Sequence, residues 1–193
     1  QGCTLADILL GKVNPSGKLN VSFPRSTGNT PCFYNHFVTD REEPFDQPGT
    51  PEEPKGHYIF DKPEPLWNFG HGKSYTTFDY VDCALSDTLL VASDTLKVSV
   101  TIKNTGRCDG KEVVQLYVRD KVSTVATPIQ QLKAFQKELV PVGYTREVKL
   151  VLPIAELALY NADMEEVIEP GEFELQIGSA SDDIRIRRTI IVR

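Results

Sequence analysis

The chain has 193 residues, 40% apolar and 25% charged, with a formal net charge of −6; this is ordinary for a folded protein, excludes a wholly disordered chain, and leaves length for one domain plus part of another. The acidic balance argues against a nucleic-acid or anionic-membrane partner, both of which select clustered Lys and Arg. No apolar run nears the ~20 residues that span a bilayer, and Gln1 to Leu5 has neither the basic start nor the apolar core of a signal peptide, so the compartment is not legible.

Thr4 to Leu10 reads as the last turns of a helix: Leu5, Ile8 and Leu9 fall at helical spacing, and Gly11 supplies a left-handed terminator. The chain opens inside this pattern and without Met, so the helix is expected to begin upstream. Asn14-Pro15-Ser16-Gly17 forms a turn. Leu19, Val21 and Phe23 then alternate with Lys18, Asn20 and Ser22 as a strand that Pro24 stops. One helix end and one strand bury no core, because the strand lacks neighbours to pair its backbone. Residues 1–37 are therefore expected to be the C-terminal remnant of an α/β domain lying mostly outside this chain. Leu5, Ile8, Leu19, Val21 and Phe23 should then present an exposed apolar edge.

Residues 38–77 form a Pro-rich acidic arm and a junction. Glu42, Glu43, Asp46, Glu52 and Glu53 are interspersed with Pro44, Pro48, Pro51 and Pro54, with no apolar period. Two readings stay open: an exposed tether, or an arm lying across a partner domain with Tyr58, Phe60, Trp67 and Phe69 as apolar anchors. Leu66 to Phe78 reads as the seam with a second, strand-rich domain.

From Phe78 the period is two. Leu96, Val98, Val100 and Ile102 oppose Thr95, Lys97, Ser99, Thr101 and Lys103, and Asn104-Thr105-Gly106 closes that strand. Val114, Leu116 and Val118 oppose Gln115, Tyr117 and Arg119; Val148, Leu150 and Leu152 continue the pattern, as do Phe173, Leu175 and Ile177. With Phe78 to Leu85, Leu132 to Leu139, Leu157 to Tyr160 and Ile184 to Val192, seven or eight short strands result. The fold class is mainly β: a fibronectin type III-like, immunoglobulin-like β-sandwich over residues 78–193. Arg185, Arg187, Arg188 and Arg193 alternate with Ile184, Ile186, Ile190 and Val192 as the wet face of a last strand. Cys3, Cys32, Cys83 and Cys108 contain no Cys-x-x-Cys pair, so no metal site is expected. A Cys83–Cys108 bridge is conceivable, but sequence does not fix the disulfide state of any of the four.

Several motifs resemble the C-terminal region of glycoside hydrolase family 3 enzymes, typified by β-glucosidases and β-xylosidases. They are Ala6 to Gly11, Asn14 to Leu19, Phe23-Pro24-Arg25-Ser26, Tyr34-Asn35-His36 and Asn68 to Phe78. Asn104-Thr105-Gly106, Gly110 to Val118, Leu132-Lys133-Ala134-Phe135 and Pro170-Gly171-Glu172-Phe173 resemble the fibronectin type III-like domain that closes many of these enzymes. Asn68, His71 and Lys73 depart from the junction's usual Pro, Tyr and Leu, and Phe37 to Arg41 departs from the usual Lys-Pro-Thr-Gly-Arg. The resemblance implies that residues 1–37 end the family's α/β-sandwich domain. It also implies retaining hydrolysis of β-linked sugars by two carboxyl groups in the parent protein.

The family's nucleophile lies in an N-terminal barrel, and its acid/base residue upstream of the matched segment, so no catalytic residue is carried over to this chain. The acidic run from Glu42 to Glu53 reads as solvated charge rather than a catalytic pair, and His36, His57 and His71 lack neighbours at nucleophile or metal spacing. Catalytic, cofactor-binding and metal residues are thus expected to be absent, and the fragment alone inactive. The expected partners are the missing catalytic domains, with β-linked glycosides as the parent's substrates; neither nucleic acid nor membrane is expected, and self-association through the truncated edge is an alternative. The resemblance is compatible with a periplasmic or secreted parent. Two competing readings are a stand-alone carbohydrate-binding module, disfavoured because the only Trp, Trp67, sits in the junction, and a structural spacer, which should show no large unpaired surface at Leu5 to Phe23.

Overall fold

The computed structural model describes residues 2–37, 62 and 64–193. Helix α1 (Gly2–Leu9) ends as the sequence dictates: Leu10 donates to the Ala6 carbonyl, and Gly11 turns the chain at φ +72°. The segment from Leu19 to Phe23 is not a regular strand. It runs antiparallel to the junction, with Leu19 N–H donating to the His71 carbonyl and Phe23 N–H to that of Trp67, but only Phe23 and Trp67 form a bridge. One irregular neighbour cannot sustain a ladder, so the alternation shapes a loose pair and no sheet.

The sandwich contains β1 (Phe78–Leu85), β2 (Leu89–Leu90), β3 (Thr95–Asn104), β4 (Gly110–Asp120), β5 (Gln131–Val140) and β6 (Thr145–Pro153). After these come β7 (Leu159–Tyr160), β8 (Glu166–Val167), β9 (Gly171–Ala180) and β10 (Asp183–Val192). One sheet has the order β1-β3-β6, the facing sheet β2-β10-β9-β4-β5. Strands adjacent in sequence thus switch sheets between β3 and β4, the Greek-key arrangement of fibronectin-like domains. Leu157 to Tyr160 differs from expectation: Pro153 stops β6, Ile154–Leu157 form a 3₁₀ turn that buries Ile154 and Leu157, and only Leu159–Tyr160 pair, with β8.

The period-two pattern sets the core. Leu96, Val98, Val100 and Ile102 of β3 are wholly buried against Val114, Leu116, Leu175, Ile177 and Ile190 of the other sheet, each contributing about 1.5–3 kcal/mol of transfer free energy. On β10, Arg187 lies exposed on the wet face, bonded to Glu174, whereas Arg188, on the same side as the buried Ile190 and Val192, reaches past the core to the Cys83 carbonyl of the facing sheet. All four cysteines are free thiols; Cys83 faces the core, where burial raises its pKa, while Cys108 lies beside Asn14.

Candidate functional site

The alternation reading places Gln115 and Tyr117 on the solvent side of β4, yet both are buried. The outer face of the five-stranded sheet is covered by the N-terminal segment and the junction. Tyr34 stacks on Phe69 with ring centroids 4.1 Å apart, and both rings meet Tyr117 edge-on, at 5.9 and 6.4 Å. The Tyr34 hydroxyl accepts from Leu132 N–H of β5 at 3.2 Å, and the next residues run on to pair Phe37 with Pro128. His36 contributes through its backbone, its carbonyl accepting from Ile129 N–H, while its ring lies exposed. Tyr117 donates to Gln115, which donates in turn to the Ser179 carbonyl, so the polar groups beneath the rings are paired.

The junction's glycines explain its spacing. Gly70 has φ +82°, and a Cβ there would stand 2.5 Å from Gln115 Oε1 and 2.9 Å from Ala180 Cα. At Gly72 a Cβ would collide with the Gly17 carbonyl, so the two loops touch backbone to backbone. Asn68, where the family has Pro, donates to Asp182 at 2.7 Å in the β9–β10 turn. Trp67, one of the expected anchors, is half-exposed and meets Phe23 edge-on; Phe69 is the anchor that docks on the sandwich.

Two polar networks complete the seam. Asn14 donates to the Asp109 carbonyl and accepts from Ser74 and Tyr75, while the Tyr75 hydroxyl reaches the Ile8 carbonyl at the end of α1. The wholly buried Asn104 accepts from Thr76 at 2.6 Å and donates to the carbonyls of Cys108 and Val140. It serves as more than the turn residue its sequence position suggests.

Glu112 is 6% exposed, accepts from the Tyr80 hydroxyl at 3.1 Å and faces Lys18 Nζ at 3.7 Å. Burial raises its carboxyl above the ordinary range, opposed by Lys18, the Tyr80 hydroxyl and Arg185. Arg185 stacks over the Tyr80 ring at 5.2 Å and holds Asp183, whose pKa its hydrogen bonds lower. A buried acid is what general acid catalysis needs, but both carboxyls here are engaged by the fold's own donors. The group ties Lys18 of the N-terminal segment to β1, β4 and β10.

Of the other residues weighed from sequence, His71 lies half-buried beside Trp67. Glu42, Glu43, Asp46, Glu52, Glu53, His57, Tyr58 and Phe60 lie outside the described residues. Gln115, Tyr117, Glu112 and Asn104 went unrecognised as seam residues; for the three on β4, polar side chains within the apolar run from Glu112 to Val118 were the available signal.

The fold and seam define a fibronectin-like sandwich to which the N-terminal segment is fastened through Tyr34 and Asn14. In comparison with known proteins, residues 1–75 match the glycosyl hydrolase family 3 C-terminal domain and residues 112–181 the fibronectin type III-like domain. A β-xylosidase of Formosa agariphila is 39% identical over 186 residues, covering 95% of this chain and 24% of that protein. The periplasmic β-glucosidase of Salmonella typhimurium is 37% identical over 187 residues, covering 95% of this chain and 24% of that protein. The crystal structure of a Listeria innocua β-glucosidase in complex with isofagomine superposes with TM-score 0.84 at 38% identity, over 97% of this chain and 26% of that one. The chain belongs to glycoside hydrolase family 3 and corresponds to the C-terminal region of its β-glucosidases and β-xylosidases. It spans about a quarter of the length of these relatives.

Proposed function

We propose that this chain is the C-terminal part of a retaining glycosidase acting on β-linked glucosides or related β-glycosides, that it buttresses the catalytic domains, and that it holds no catalytic residue itself. Residues 1–37 belong on this reading to the α/β-sandwich domain, 38–77 to the arm and junction, and 78–193 to the fibronectin-like domain. The observation that carries it is the contrast between the two sides of the N-terminal segment. One side is locked to the sandwich through Asn14, Lys18 and Tyr34; the other leaves Leu5 and Leu9 of α1 59% and 74% exposed, with Val21 and Phe23 also uncovered. A sandwich that holds an apolar surface rigidly outward suits the support of a further domain. A spacer serving alone has no use for such a surface, and an exposed sugar-stacking platform is not what the Tyr34, Phe69 and Tyr117 rings form, since they pack on each other.

The test is to read the source genome upstream of the Gln1 codon. An uninterrupted frame encoding a (β/α)₈ barrel with a nucleophilic Asp is expected. A stop or start codon close upstream would overturn the reading.

A further inference from the structure

A cavity of about 470 Å³ opens at the seam, between the Pro15–Lys18 loop, the stretch from Gly72 to Asp79, and residues of β4 and β10. The proposed buttressing role gives it no task. Four cationic side chains line it, Lys18, Lys73, Lys111 and Arg185, against two carboxylates, Asp79 and Glu112. Glu112 is already held by Lys18 and Tyr80, and Arg185 by Asp183. Lys73 and Lys111 are exposed and have no ion-pair partner among the described residues.

The backbone adds to this charge. Among the described residues, the N–H groups of Ser16, Gly17 and Lys18 on one wall, and of Gly72, Lys73 and Ser74 on the other, have no hydrogen-bond acceptor. Two short runs of free amide donors, one on either side of the contact between the Gly17 carbonyl and Gly72, with ammonium groups beside them, are the chemistry that binds oxyanions. The volume admits a ligand of small-metabolite size.

We propose that this cavity is a binding site for a small oxyanion, a phosphate or a carboxylate, held between the two glycine-containing loops by their backbone amides and by Lys73 and Lys111. A bound anion would bridge the N-terminal segment and the junction, and so tighten the seam between them.

The test is titration of the ¹⁵N-labelled 193-residue chain with inorganic phosphate and, separately, malonate, each against chloride at matched ionic strength. Saturable shifts at Gly17, Gly72 and Ser74 are expected, with about millimolar affinity. Response to phosphate alone or to malonate alone supports the site and names its oxyanion. The Lys73→Gln/Lys111→Gln double variant, which alters only exposed groups, should bind at least about fivefold more weakly. Absence of saturable shifts, the same shifts with chloride, or undiminished affinity in the double variant would overturn the proposal.

Discussion

Removing the Tyr34 ring tests how the N-terminal segment is fastened. Tyr34→Ala deletes a stacked contact with Phe69 and an edge contact with Tyr117, each worth about 0.5–1.5 kcal/mol beyond simple burial. It also removes the acceptor of Leu132 N–H, at about 1 kcal/mol for the orphaned amide. The sum is about 2–4 kcal/mol, discounted toward 2–3 because Tyr34 is only partly buried. Loss of that amount should leave the sandwich folded, since its core lies between the sheets and not at the seam. Hydrogen exchange reads the effect locally: the Leu132 amide should exchange about 30- to 150-fold faster, while amides facing the core of β3 remain protected. Tyr34→Phe keeps the ring contacts and should accelerate Leu132 by about fivefold only. Equal exchange at Leu132 in Tyr34→Ala and the wild type would refute the clasp. Global loss of protection would show instead that the seam and the core fold as one unit.

Gly70→Ala should destabilise by more than about 2 kcal/mol, because strain at positive φ is joined by collision with Gln115 and Ala180, whereas Gly143→Ala, at φ +78° facing open space, should cost about 1 kcal/mol; equal shifts in urea midpoint would contradict this. Asn104→Ala leaves the Thr76 hydroxyl and the Cys108 and Val140 carbonyls unpaired and should cost about 2–4 kcal/mol in equilibrium unfolding, with less than about 1 kcal/mol refuting the network. The Glu112 carboxyl is raised in the fold above its unfolded value of about 4.3, so its contribution is complete below that pH and is lost as pH rises through the folded value. The wild type should therefore gain stability relative to Glu112→Gln between pH 7 and about 4.5; parallel stability curves would show that burial does not govern this group.

What the sequence made legible was local. Strict alternation in β3 and the Asn104-Thr105-Gly106 ending marked a half-buried strand, and Gly11 marked the helix end, because each signal is complete within a few residues. Of the expected apolar edge, Leu5, Val21 and Phe23 are exposed, as befits a helix and a strand-like segment without a core of their own, whereas Ile8 and Leu19 are half-buried. The same period misplaced Gln115 and Tyr117: alternation reports which residues share a face, and only the distant Tyr34 and Phe69 determine that this face is dry. Glu112 was hidden for a related reason. Its burial depends on Lys18, Tyr80 and Arg185, which converge on it from separate elements. Leu19 to Phe23 carried the pattern of a strand without the second neighbour that would regularise it.

If catalysis in this family member resides outside residues 1–193, the chain and any longer protein that its upstream frame encodes should part company on substrate. Both should be purified free of host glycosidases and assayed side by side on aryl β-glucosides and β-xylosides. Turnover by the longer protein and none by the chain alone is the expected outcome. Hydrolysis by the isolated chain, surviving a second independent purification, would place catalytic groups within these residues and overturn the buttressing role.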